Sequence, residues 1–213
     1  MTKKMTRSKR VEAASRHRRD VQRQDLRQTI LDAAAKLFLE EGYAQFSMRQ
    51  IAEGIGYSAT TIYRYFADKD DLLFAVVDRG FHEFEQTLTT AAASSHDPTE
   101  RLRALGRAYI DFGRANPAYY QLMFMQRGDY LCSPPAGAEE PRVAAFSALE
   151  QAVEAALAAG AITPGDPHAY SHLLWAVVHG AVSLAIAMPD LKILTTDRER
   201  DLIVDVALKG LRP

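Results

Sequence analysis

Residues 47–73 constrain the fold of this chain more than any other segment, and they read SMRQIAEGIGYSATTIYRYFADKDDLL. Ser47 and Gln50 have the spacing of a capping box, and two isoleucines four residues apart give the helix that follows one apolar face. Gly56 then supplies a tight turn, and Ser58 offers a second N-cap oxygen before ATTIYRYF. Two short helices joined by a glycine turn are typical of a helix-turn-helix motif.

The second helix of this motif, predicted over about Ala59–Tyr65, carries side chains suited to nucleic acid. Hydroxyl and guanidinium groups bind phosphate oxygens and the base edges in the major groove. We expect contacts at or near base edges from Thr60, Thr61 and Arg64. We expect phosphate contacts from a second set, which comprises Ser47, Arg49, Ser58, Tyr63, Tyr65 and Lys69. The segment therefore predicts double-stranded DNA as a partner.

The same segment resembles the DNA-binding domain of the TetR family of transcriptional regulators over roughly residues 24–75. The positions that carry the resemblance are Ser47, Ile51, Ala52, Gly56, Ser58, Tyr63, Tyr65, Phe66, Lys69 and Leu72. Tyr57 stands where valine is usual, and Thr60 where a small residue is common. The resemblance implies a homodimeric repressor that is released from a pseudo-palindromic operator by a small effector. It also implies a dimer built from the last two helices of each chain.

Positive charge is concentrated at the start of the chain. Residues 1–27 hold ten Lys or Arg and three acidic residues, a net charge of +7, whereas the whole chain carries −1. A basic arm ahead of a helix-turn-helix is typical of contact with DNA phosphates or the minor groove, although a solvated leader would have the same composition. We predict that residues 1–22 are disordered without DNA and add affinity by counterion release.

The rest of the chain has helical periodicity throughout and no strand pattern of useful length. Helix starts are marked by caps and N1 prolines at Asp68, Asp97-Pro98, Asn116-Pro117, Asp166-Pro167 and Thr196 with Glu199. Residues 128–141 have no periodicity and are predicted to form a loop. The predicted fold is all-α, with a three-helix DNA-binding domain at 23–70 and a helical effector-binding and dimerisation domain at 71–213.

The last two predicted helices are apolar on more than one side. Residues 173–188 are apolar except for His179 and Ser183, and sixteen residues fall short of the roughly 20 that span a bilayer. A core helix is therefore predicted rather than a membrane span. Because a peripheral helix should show one polar half, we predict that a second subunit covers the additional apolar surface. A well-buried monomeric core is the alternative.

An effector pocket is predicted in the middle helices, because NPAYYQLMF at 116–124, with Trp175, His179 and Gly180, resembles one subgroup of the family's ligand-binding domains. Candidate wall residues are Phe81, Phe84, Tyr109, Phe112, Tyr120, Met123, Phe124, Trp175 and His179. No Lys or Arg occurs at 115–125 or 173–188, which favours a neutral or cationic lipophile. Arg114 and Arg127 flank the first stretch and leave room for one anionic group. Plain core packing would produce the same pattern.

Other classes of function find little support in the sequence. A single cysteine, Cys132, excludes an intramolecular disulfide and suits a reducing cytoplasm, and the basic start lacks the apolar region of a secretory signal. His168 and His172 have a metal-binding spacing, but the nearby carboxylate of Asp166 is predicted to be a helix cap. No metal, cofactor or catalytic motif is predicted. Two alternatives stay open, an effector-independent DNA-binding protein of the same fold and an enzyme.

Overall fold

The computed structural model describes residues 7–126 and 140–212, and within these ranges it contains helices and no strands. The helices are α1 (Arg7–Gln45), α2 (Met48–Gly54), α3 (Ala59–Tyr63), α4 (Lys69–Ala93), α5 (Pro98–Ala115), α6 (Pro117–Gln121), α7 (Glu140–Ala158), α8 (Pro167–Ala187) and α9 (Asp197–Lys209). A π-helical turn follows α6 at Leu122–Gln126, and a 3₁₀ turn lies at Pro189–Leu191. The all-α prediction is confirmed. The predicted loop at 128–141 lies almost wholly outside the described residues.

The chain divides into two compact units, one up to Val76 and one from Val77 onward, a few residues after the predicted boundary. In the first unit, Ile30, Leu31 and Phe38 of α1 are at most 3% exposed, and α1 packs against α2. Gly42 has φ +75°, a left-handed conformation that favours glycine, and interrupts helical geometry near the end of α1. This packing fixes α1 as the support of the helix-turn-helix.

The prediction of a disordered arm disagrees with the structure, because α1 already begins at Arg7. The physical reason lies in the composition: from Arg7 to Glu41 the chain contains no glycine or proline and is rich in Arg, Gln, Glu and Ala, which favour helix. Nothing breaks the helix between the basic segment and the buried half of α1. Residues 1–6 of the predicted arm lie outside the described residues.

The second unit is organised around α5, which packs against α7, α8 and α9. Three predicted caps of this unit are present: the Asp97 and Asp166 carboxylates accept backbone N–H groups, and Thr196 forms a complete capping box with Glu199. Asn116 precedes α6 as predicted, with Pro117 in its first turn, but its side chain makes no capping hydrogen bond. At Gly113 a Cβ atom would lie 2.4 Å from a methyl group of Val182, so α5 and α8 approach closely there. The unit is thus a tightly packed helical bundle.

Two helices of this bundle leave apolar faces exposed in the single chain. Along α8 the outward positions recur at helical spacing: Leu173 and Leu184 are 50% and 46% exposed, and a Cβ built at Gly180 would meet no atom within 4 Å. On α9, Leu202 and Val206 are 59% and 58% exposed and lie one turn apart. Among the described helices, α8 alone is long and apolar enough to cross a membrane, by length and composition only.

Candidate DNA-binding surface and effector cavity

The second helix of the motif, α3, is held by a cap at one end and a buried anchor in the middle. The Ser58 hydroxyl accepts a hydrogen bond from the Thr61 backbone N–H at 3.2 Å and lies 2.9 Å from the Thr61 hydroxyl. Ile62 has no exposed surface and fixes the rotation of the helix. Thr60, Tyr63 and Arg64 are exposed as a result. These three side chains are free of the protein core and face solvent from one short helix and its C-cap.

The flanking side chains predicted to contact phosphates are placed less uniformly. Ser47 caps α2 by accepting the Gln50 N–H, but the Gln50 side chain accepts from the Ser47 hydroxyl and donates to Glu41 instead of completing a capping box. Arg49 is exposed and pairs with Glu53 at 2.7 Å. Lys69 is half-buried, with its ammonium 4.6 Å from the centroid of the Phe46 ring.

The structure brings a second basic element to this surface, beyond the residues predicted from the motif. Arg19 and Arg23 of α1 line an open groove of about 740 Å³, and Tyr57, Arg64 and the half-buried Tyr65 line it too. Tyr57 is 47% exposed. The two arginines were counted in the basic arm without a position. Their spacing of four residues is the signal that would have placed them on one face of a helix.

An apolar cavity of about 180 Å³ lies in the second unit, among α4, α5, α7, α8 and the π-helical turn. Five of the nine predicted wall residues line it: Phe81, Phe84, Tyr109, Phe124 and Trp175. Phe112, Tyr120, Met123 and His179 do not line it, and Phe112 instead packs against the Phe84 ring with centroids 5.0 Å apart. The sequence prediction missed the lining residues Leu88, Ala145, Phe146 and Leu149. Three of these belong to α7, where Phe146 is an isolated aromatic residue in an Ala-rich sequence that does not show which face turns inward.

A smaller apolar void of about 40 Å³ adjoins this cavity and extends toward α9. The two spaces share Leu88, Tyr109, Leu149 and Trp175 as lining residues. An apolar cavity of about 150 Å³ is enough to admit benzene. The resting cavity therefore fits a small lipophilic group, and a larger ligand has to displace the shared side chains.

A cluster of polar groups is buried beside the cavity. Trp175 Nε1 donates to the Tyr109 hydroxyl at 3.1 Å, and the hydroxyls of Tyr109 and Tyr120 lie 2.9 and 2.7 Å from His179 Nδ1. Burial lowers the pKa of His179, raises the pKa of Tyr120 to about 12, and raises the pKa of Tyr109 well above its ordinary value. A neutral His179 accepts at Nδ1, which leaves its Nε2–H to donate to Ser183 at 3.3 Å. The cluster is uncharged and satisfied internally.

Arg114, which flanks the aromatic segment at 116–124, is engaged in ion pairs. Arg114 pairs with Asp197 at 3.0 Å and with Asp111 at 3.5 Å, and Arg127 lies outside the described residues. The two histidines with a metal-binding spacing contact protein groups, since His168 Nδ1 contacts Glu150 and His172 Nδ1 contacts the His168 carbonyl. Within the described ranges no group of three or more His, Cys, Asp or Glu is placed to hold a metal ion.

A capped recognition helix in one unit and a helical bundle with an apolar cavity in the other define a class, the one-component transcriptional regulators. Two family models specify the family: "Bacterial regulatory proteins, tetR family" matches residues 30–76, and "Tetracyclin repressor-like, C-terminal domain" matches residues 102–208. The second match covers half of the chain. The chain therefore belongs to the TetR family, and it is a helix-turn-helix transcriptional regulator rather than an enzyme.

One curated relative and two solved structures are similar to this chain. The HTH-type transcriptional activator FasR of Mycolicibacterium smegmatis is 30% identical over 131 residues, which are 62% of this chain and 59% of FasR. A Rhodococcus sp. RHA1 structure described as a protein with unknown function has a TM-score of 0.73 and 27% identity, covering 88% of this chain and 96% of that one. The fatty acid degradation regulator FadR from Bacillus halodurans shares the fold, with a TM-score of 0.71, 18% identity, and coverage of 86% and 92%. The chain thus spans less than two thirds of FasR.

Proposed function

We propose that the protein is a homodimeric repressor that binds a pseudo-palindromic operator through α3 and leaves it when a small lipophilic molecule enters the α4–α8 cavity. The observation that carries the proposal is the exposed polar face of α3, held by the Ser58 cap and the buried Ile62. Repression is proposed because the C-terminal half matches the tetracyclin repressor-like domain. Two-fold symmetry of a dimer is mirrored in two operator half-sites about one helical turn apart or slightly more.

Base-edge contacts are assigned to Thr60, Thr61 and Arg64 in this proposal. Thr60 and Arg64 are exposed, whereas Thr61 shares its hydroxyl with Ser58 and is half-buried, so Arg64 is the strongest candidate for a bidentate contact to guanine. Phosphate contacts are assigned to Ser47, Arg49, Ser58, Tyr63, Tyr65 and Lys69. Arg49 then exchanges Glu53 for a phosphate on binding, because its present ion pair is exposed and weak.

Replacing Arg64 by Ala is expected to weaken operator binding by about 1–3 kcal/mol and to relax sequence preference at one base pair of each half-site. The operator is first selected with the wild-type protein from random duplexes, and affinities are then measured at fixed salt. Lys36→Ala, which removes an exposed cation of α1 that lines no groove at this surface, is the matched control. Equal operator affinities for wild type and Arg64→Ala would refute the assignment of Arg64. Failure of the wild type to select any sequence would refute the operator itself.

The dimer is proposed to form through the exposed apolar faces of α8 and α9. Leu173 and Leu184 on α8, and Leu202 and Val206 on α9, are each about half exposed in the single chain. Gly180 lies between the two leucines of α8 and has nothing within 4 Å of its Cβ position, so a partner helix has room to approach closely. Burial of these side chains against a second copy would remove a large apolar surface from water.

The effector is proposed to be a neutral or cationic lipophile. The cavity walls offer aromatic and aliphatic carbon with Tyr109 and Trp175 as the polar side chains, and both already hydrogen-bond within the buried cluster. Arg114, the described cation that flanks the aromatic segment, is paired with two aspartates. An anionic effector would therefore have to break existing ion pairs or be buried without a counter-charge. A hundredfold release of operator requires about 2.8 kcal/mol of preference for the DNA-free conformation.

Filling the cavity with Ala145→Leu is expected to abolish the response to effector while leaving DNA binding intact. Lipophilic compounds are screened for those that raise the thermal midpoint of the wild type, and each hit is tested for operator release. A hit at 100 times its dissociation constant stabilises the wild type by about 2.7 kcal/mol, and most of that gain is lost in the filled variant. Ala144→Leu is the matched control, because Ala144 lines a separate surface groove.

Two outcomes would contradict the effector proposal. If every stabilising compound left operator binding unchanged, the effector-independent alternative would replace the sensor. If the hits stabilised Ala145→Leu and Ala144→Leu equally, the effector would bind somewhere other than the 180 Å³ cavity.

A further inference from the structure

The first half of α1 is a helical segment without a core. Residues 16–25 are all exposed, including Val21 at 40%. Helices in proteins derive most of their stability from packing one face against the rest of the molecule. This segment therefore contributes little to the stability of the first unit, and its role lies elsewhere.

One face of this segment forms a wall of the open groove that α3 and its following turn complete. Arg19 and Arg23 lie one turn apart on the α1 side, and Arg64 lies on the other side at the C-cap of α3. Among the lining residues these three arginines face a single acid, Asp25, which leaves a net charge of +2. The groove is thus basic on both walls, although the whole chain is slightly acidic.

The groove is also ordered by a direct contact between its walls. The Arg23 guanidinium lies 5.9 Å from the centroid of the Tyr65 ring, which is a cation–π distance. Tyr57 and Tyr65 add hydroxyl groups to the lining. Guanidinium forks and hydroxyls on two sides of an open channel are the groups that proteins use to hold a phosphodiester backbone.

We infer that this groove holds the sugar–phosphate backbone of one DNA strand immediately outside the bases that α3 reads, with Arg19 and Arg23 neutralising two phosphates. The inference rests on the proposed operator binding and extends it, because Arg64 borders both the recognition surface and the groove. A strand that leaves the recognition helix at Arg64 passes into a channel that is already basic. The helical start of α1 is then a phosphate clamp rather than a disordered tether.

An acidic protein segment is the main competing occupant of a basic groove. A net positive charge and guanidinium forks suit carboxylates as well as phosphates, so they do not separate the two occupants. DNA is favoured because the groove is continuous with Arg64, which is proposed to read bases. If an acidic protein segment occupied the groove instead, DNA affinity would not depend on Arg19 and Arg23.

The test compares the full-length wild type with Arg19→Gln/Arg23→Gln on a long duplex that extends past the half-sites and on a short duplex trimmed to them. On the long duplex, the slope of log affinity against log salt is expected to become shallower by about 1.8 for each protomer, since each neutralised phosphate contributes about 0.9. On the short duplex, which lacks the flanking phosphates, wild type and variant are expected to bind alike. Lys36→Gln removes an exposed cation of α1 outside the groove and is expected to change neither slope.

A second variant separates charge from structure. Arg19→Gln alone leaves the Arg23–Tyr65 contact in place and is expected to reduce the long-duplex slope by about 0.9 for each protomer, with an unchanged thermal midpoint. Wild-type slopes for both variants on the long duplex would overturn the clamp while leaving operator binding through α3 intact. No operator binding by the wild type would instead overturn the proposed function on which the clamp depends.

Discussion

Replacing Leu202 and Val206 together by glutamate is expected to convert the proposed dimer into monomers and to weaken operator binding by about 10²–10⁴-fold. Both side chains lie on the outward face of α9, one turn apart, with 59% and 58% of their surface exposed. In a two-fold dimer the substitution places four carboxylates in an apolar interface, and burial of each unpaired charge costs several kcal/mol. The mass in solution should fall from twice 23.7 kDa to 23.7 kDa.

The loss of operator affinity follows from the loss of linkage between the two recognition helices. In a dimer, binding of one half-site places the second α3 at a high effective concentration over the other half-site. Monomers lose that advantage although every DNA-contacting residue is unchanged. Binding to a single half-site duplex should therefore be nearly the same for the variant and the wild type.

A matched pair on α4 controls for added charge. Gln86→Glu/Thr90→Glu adds the same two carboxylates one turn apart on an exposed face of a helix in the same unit. It is expected to leave the mass and the operator affinity unchanged. A Leu202→Glu/Val206→Glu protein that stays dimeric would show that α9 is not at the subunit interface.

Local signals in the sequence predicted the helices well, because each signal depends only on residues within about one helical turn. The caps at Ser58, Asp97, Asp166 and Thr196 act within one turn, and all four accept the backbone N–H groups that the sequence predicts. Ile51, one of the two isoleucines whose spacing gives α2 an apolar face, is likewise buried. The family resemblance added the order of the units, which local spacing alone does not determine.

The start of α1 shows where composition was misleading. Its charge suggested disorder, yet the same residues are good helix formers and continue directly into the buried half of the helix. No glycine or proline between Arg7 and Glu41 separates the arm from the rest of α1. The groove between this segment and Arg64 depends on tertiary packing, so the sequence did not show it.

Only some residues that line the cavity were predicted, and the reason is again tertiary packing. Aromatic residues marked the α5 and π-turn contributions, but Ala145 and Leu149 of α7 are common residues whose role depends on which helix they face. Conversely, Tyr120 and His179 were predicted to line the cavity and instead form a buried polar cluster beside it. Periodicity identifies an inward face and does not distinguish a wall from the packing behind it.

Replacing Tyr120 by Ala is expected to reduce the free energy of unfolding by about 3–5 kcal/mol, measured by chemical denaturation. Tyr120 has no exposed surface, and its ring stacks on His179 with centroids 5.6 Å apart. Truncation leaves a cavity and also removes the hydroxyl that lies 2.7 Å from His179 Nδ1, so that this nitrogen keeps only the Tyr109 hydroxyl, at 2.9 Å, of its two hydroxyl partners. Tyr120→Phe keeps the ring and should cost about 1–3 kcal/mol, which isolates the hydroxyl.

Tyr63→Ala is the matched control, since this tyrosine is 54% exposed on α3 and contributes little to the core. We expect it to change stability by no more than about 0.5 kcal/mol while it weakens operator binding through the lost phosphate contact. We therefore expect Tyr120→Ala to lower the free energy of unfolding, and Tyr63→Ala to lower operator affinity with little change in stability. Equal losses of stability at both positions would mean that the Tyr120 cluster does not stabilise the second unit as its burial implies.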